Sequence, residues 1–154
     1  MKLAEALALR ADASRRVEQL RARVIGNARH QEGETPSEDP VALLAEADGV
    51  LDSLETLIRR INRTNSTVAV APEGTLTDAL ARRDVLRLRH ALLTGAADAA
   101  AGRGGARQLR SELKMLTELP VAELRARADV LAREIRELDM RIQRTNWEAD
   151  LLED

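Results

Sequence analysis

Few side chains in this sequence are of a type and spacing that could do chemistry. The two histidines, His30 and His90, stand 60 residues apart. A carboxylate-bridged di-metal site on helices would place Glu three residues before His on two of them, and neither histidine has that neighbour. No cysteine is present, so there is no thiolate nucleophile, no Cys-based metal site and no disulfide framework. Serines occur at 14, 37, 53, 66 and 111, none in a nucleophile elbow and none with a base fixed nearby by spacing. The glycine cluster GRGG at 102–105 lacks the Lys-Ser/Thr of a phosphate loop and reads as a linker. These residues nominate no catalytic group, no metal ligand and no cofactor.

Arginine is the remaining reactive material. Of 24 basic residues only Lys2 and Lys114 are lysine. ARRDVLRLRH at 81–90 concentrates Arg82, Arg83, Arg87 and Arg89, which could track phosphates. No aromatic residue interleaves for base stacking, and the chain's net charge is −2, so a solvated helix face is the better reading and no nucleic-acid partner is expected. Aromatic residues are 1% of the chain, a single Trp147. A core must therefore be made of Leu, Val, Ile and Ala, which suits close helix packing. No run reaches the ~20 apolar residues of a membrane helix. Glu5 and Arg10 interrupt the apolar stretch a signal peptide would need, so the expected location is cytoplasmic, with no membrane partner.

The elements that position these residues are helices, and they repeat. RINRTN ending at Asn65 recurs as RIQRTN ending at Asn146, 81 residues later. Leu43, Ala47, Val50, Leu54, Leu57 and Ile61 step by fours and threes, and Leu124, Ala128, Leu131, Ile135, Leu138 and Ile142 take the same steps. Such spacing keeps one apolar seam toward a partner helix. LAEALALR at 3–10 likewise matches LTDALARR at 76–83. The chain reads as one all-α domain, 1–154, built from repeats at 1–67 and 74–149, with helices over about 3–29, 40–65, 76–101 and 121–149. At 1.5 Å per residue each would be roughly 40 Å long, and an up-down-up-down four-helix bundle follows.

Local signals mark the ends. Asp39-Pro40 and Thr75 or Thr77 (with Asp78) suit helix starts. Asn65 and Asn146 suit left-handed residues closing the return helices. Alternation around Leu113 and Met115 allows a short two-stranded ribbon between about 28–34 and 110–117; the competing reading is a fifth helix through Leu109, Leu113 and Leu116.

With both hairpins laid out, LAEALALR, QEGE, EDP, INRTN, LTDALARRDVLRLR, SE-K and RELDMRIQRTNW-LL together resemble the septicolysin-like family of small bacterial proteins, over essentially the full length. That resemblance implies a pore-forming protein and supplies no catalytic residues. The residues themselves favour a non-catalytic, self-associating interaction or scaffold protein, because Ala- and Leu-rich seams stand without any enzyme signature. One polar cluster remains. Antiparallel hairpins should gather Glu5, Arg10, Arg63, Thr64, Asn65, Asp78, Arg83, Arg144, Thr145 and Asn146 at one end. There they would form register-locking salt bridges or, with spare guanidinium donors, hold a small anion.

Overall fold

The computed structural model of the chain describes residues 1–102 and 113–153. Four helices dominate: α1 (Leu3–Gly26), α2 (Pro40–Thr67), α3 (Leu76–Ala100) and α4 (Val121–Glu148). Each lies within three residues of its expected limits. The all-α expectation is met, and a short antiparallel ribbon accompanies the helices, β1 (Ala69–Val70) with β2 (Gly74–Thr75).

The helix starts follow the local chemistry. Asp39 Oδ1 accepts from Val41 N at 2.9 Å, and Pro40 takes the first helical position, where its missing N–H costs nothing. Thr75 Oγ1 accepts from Asp78 N, while an Asp78 carboxylate oxygen accepts from Thr75 N at 2.8 Å, a reciprocal cap. Glu5 does half as much for α1, accepting from Lys2 N at 2.7 Å.

The helix ends differ from expectation. Asn65 and Asn146 lie inside helices that continue to Thr67 and Glu148, and no non-glycine described residue has positive φ. The chain leaves α2 through Val68 in extended conformation and so runs directly into β1. A β-branched Val-Ala-Val run favours that exit over a left-handed stop.

The ribbon is also not where the alternation placed it. It forms across the turn 71–73, where Gly74 adopts φ +117°, and Val70 buries on it. Only glycine suits that φ without strain, and a Cβ there would meet an Asp78 carboxylate oxygen at 2.6 Å. Residues 28–34 and 113–117 form no strand and no helix. The rest of that expectation, including Leu109, and most of the GRGG stretch lie outside the described residues.

The chain divides into two compact units. The first comprises Met1–Val68 with Thr145–Asp154, and the second Ala69–Arg144. In the first unit, α1 and α2 pack antiparallel around Leu3, Ala6, Leu20, Leu43 and Ile61, all buried. Arg16 pairs with Glu46 and Arg23 with Glu38 along their edge. In the second, α3 and α4 pack antiparallel around Leu76, Ala79, Leu86, Leu93, Leu124, Leu131 and Leu138. Arg83 and Arg87 reach Asp139 at one end, and Asp98 reaches Arg125 at the other.

The repeat extends to the ribbons. In the first unit, Lys2 bridges Asp150, with Leu3 N donating to Ala149 O at 3.0 Å and Leu151 N to Met1 O at 2.9 Å. In the second, Ala69 pairs with Thr75. Lys2 and Thr75 are equivalent positions 73 residues apart, and Ala69 and Asp150 are equivalent at 81. Each unit thus repeats one device, a helix start stitched to an extended segment that follows a return helix.

Candidate functional site

The ten polar residues expected at one end take several different roles. In the first unit Glu5 caps its own helix, and Arg10 is exposed. Thr64 is fully buried: its hydroxyl donates to Arg60 O at 2.8 Å and accepts from Leu152 N at 3.0 Å, tying the chain's last residues to α2. Asn65 and Thr145 are half-buried, Asn146 is buried, and the Arg63 side chain is exposed, with its carbonyl accepting from Ser66 and Thr67. In the second unit Arg144 is exposed and Asp78 caps α3. Arg83, whose side chain is 20% exposed, bonds Asp139. The carboxylates of Glu5 and Asp78 are thus engaged as helix caps, and Arg83 is held by α4 rather than by a helix start.

Three carboxylates are held low by the groups that donate to them. Backbone and hydroxyl donation from Thr75 holds the Asp78 carboxyl below the usual aspartate range. Lys2 does the same for Asp150, its ammonium lying 2.8 Å from the carboxylate. Arg23, donating from Nε to both Glu38 oxygens, likewise lowers Glu38.

A polar contact the sequence did not disclose sits on the 71–73 turn. The Glu73 side chain is only 6% exposed, and its Oε1 accepts from Arg141 at 2.5 Å. No helix-period row includes Glu73, which lies in the turn between β1 and β2. Among the described residues no group of three or more His, Cys, Asp or Glu is gathered as a metal site. No described helix is long and apolar enough to cross a membrane.

The outward faces of α1 and α3 differ most clearly in polarity. Six positions on α3 step by 4, 3, 4, 3, 4: Ala81, Val85, Leu88, Leu92, Gly95 and Ala99. All six are exposed, with Leu88 at 70% and Leu92 at 71%. Their equivalents on α1, 73 residues earlier, are Ala8, Asp12, Arg15, Gln19, Ala22 and Gly26, also all exposed. Asp12 and Arg15 there form an ion pair in place of Val85 and Leu88. The buried rows of the two helices match instead: Leu3 with Leu76, Ala6 with Ala79, Leu20 with Leu93. Beside the α3 row, a shallow groove of about 390 Å³ runs between α3 and α4, lined by Arg89, Leu93, Arg127, Val130 and Leu131 among others. The α2 helix of the first unit also shows outward apolar residues, Leu44, Leu51 and Ile58, but Asp48 and Glu55 interrupt that row. The signal for the α3 face was in the sequence, as a second 4-3 row that α1 lacks.

Over residues 10–151 the chain matches the Family of unknown function (DUF6847). The chain belongs to that family. It is similar to a functionally unknown conserved protein from Corynebacterium diphtheriae, whose crystal structure aligns with a TM-score of 0.92 at 41% sequence identity, covering 99% of each chain. No curated protein matches. The septicolysin-like resemblance is thereby corrected: the DUF6847 match spans nearly the whole chain, and neither it nor the solved relative carries a toxin description. The phrases that suggested it, such as LAEALALR and RIQRTN, are the start of α1 and the last turns of α4, and they report helix geometry rather than an activity.

Proposed function

We propose that this DUF6847 chain is a non-catalytic interaction module that self-associates through an outward apolar helix face. One observation carries the reading. At equivalent, exposed positions of a duplicated helix, Asp12, Arg15 and Gln19 stand where α3 has Val85, Leu88 and Leu92. Polar side chains at these positions are compatible with the fold, as α1 demonstrates, so packing within the hairpin does not require the apolar ones. Contiguous apolar surface that folding does not require marks an interaction site. A cytoplasmic setting belongs to the proposal and is supported by the cysteine-free composition.

Size-exclusion chromatography with light scattering from about 1 to 100 µM tests it. A mass rising from one chain toward two supports the reading, and a strict 16.9-kDa monomer throughout removes it.

A further inference from the structure

We infer that two copies of this chain pair side by side through α3, in parallel orientation, with Asp84 of each copy meeting Arg89 of the other. The inference rests on the self-association proposed above and adds the surface, the orientation and the charge pair.

The spacing of the exposed row assigns positions of a seven-residue repeat. Val85, Leu92 and Ala99 fall at the first apolar position of the repeat, and Ala81, Leu88 and Gly95 at the second. A β-branched residue at the first with Leu at the second, as in Val85 and Leu88, favours two strands in parallel coiled coils. Small residues at Ala81, Gly95 and Ala99 let the helix axes approach closely at both ends of the row. Val130, 58% exposed on α4 at the edge of the neighbouring groove, extends the apolar surface sideways.

The flanks decide the orientation. On one side of the row stand Asp84, Ala91 and Asp98, and on the other Arg82, Arg89 and Ala96. Parallel helices bring the acidic flank of one copy against the basic flank of the other, offset by five residues, which pairs Asp84 with Arg89 twice about the two-fold axis. Antiparallel helices would set acid against acid and arginine against arginine. Arg82 and Asp98 already face Glu134 and Arg125 on α4. Asp84 has one long contact, 3.6 Å to Arg83 Nε of its own helix, and a side chain 66% exposed, so it is free to turn to the exposed Arg89 of the partner copy.

Two experiments on the full chain test this. Because the chain has no cysteine, Leu88→Cys introduces a single thiol. Parallel pairing places residue 88 opposite its own copy, so mild oxidation should give a disulfide-linked dimer rapidly, while Arg15→Cys at the equivalent α1 position should not. Asp84→Arg should raise the dimer dissociation constant about tenfold or more. Adding Arg89→Asp should restore it, since the double variant rebuilds the pair with charges exchanged. Circular dichroism on each variant confirms that the helices are intact. If the chain dimerises but Leu88→Cys fails to cross-link and the charge exchange has no effect, the α3 pairing falls while self-association stands. If the wild type is monomeric throughout, both fall.

Discussion

Helices α1 and α3 share one sequence pattern 73 residues apart, and they agree on the inside while differing on the outside. Leu20 and Leu93 are both buried at equivalent positions, as are Ala6 and Ala79. Arg15 and Leu88 are equivalent and exposed, one ion-paired and the other a bare apolar side chain. Burial against a partner helix dictates volume and polarity closely, whereas an exposed helix position tolerates almost any residue. What stands outside is therefore not dictated by packing within the hairpin. The edges of the hairpins differ in the same sense. Asp139, which holds Arg83 and Arg87 in the second unit, corresponds to Ile58 in the first.

The comparison can be broken or sharpened by substitution. Leu20→Ala and Leu93→Ala should cost about 2–5 kcal/mol each in urea unfolding, because each deletes a buried side chain and leaves a cavity; equal roles in the repeat require similar losses, and a harmless Leu93→Ala would break the equivalence. Arg141→Met removes the guanidinium from buried Glu73 and should cost about 2 kcal/mol in thermal unfolding, with partial exposure of Arg141 moderating the loss. Thr64→Val leaves Leu152 N without its acceptor and should cost about 1–2 kcal/mol, with faster amide exchange at Leu152 as its mark. Asp139→Ile, which gives the second unit the residue of the first, should cost less than about 1 kcal/mol, since Asp139 is one-third exposed and such pairs contribute little.

The pH dependence sharpens the two helix starts further. Asp78 has a lowered pKa in the folded chain, so its contribution is fully present above the ordinary aspartate value of about 4 and is lost as pH falls through its lower folded value. The denaturation midpoint should drop on acidification below about pH 4, and Asp78→Asn should make that drop smaller. An unchanged slope in Asp78→Asn would remove the cap from the account.

Most of the fold was legible because helix-period seams, caps and the internal repeat all pointed the same way. The departures have local causes. Asn65 and Asn146 looked like helix stops by residue type, but the Val68-Ala69-Val70 run carries the chain into extended structure directly, and Thr64 needs a helical turn to aim its hydroxyl at Leu152. The ribbon formed at the Pro72–Gly74 turn, where two short extended segments are already close in sequence, and not between connectors far apart along the chain. Of the candidate cluster, the caps at Glu5 and Asp78 could be read from spacing, whereas the partner of Arg83 could not. Asp139 lies in the return helix at a position where the first repeat has an apolar residue, so the repeat itself hid the ion pair.

The central claim is that the outward face of α3 is an interface and its α1 equivalent is not. Grafting the α1 residues onto α3 in one variant, Val85→Asp, Leu88→Arg and Leu92→Gln, tests it most directly by sedimentation equilibrium beside the wild type. The predicted result is a wild type that dimerises at micromolar concentration and a grafted chain that is monomeric with unchanged helical content. A grafted chain that dimerises as tightly as the wild type would contradict the claim.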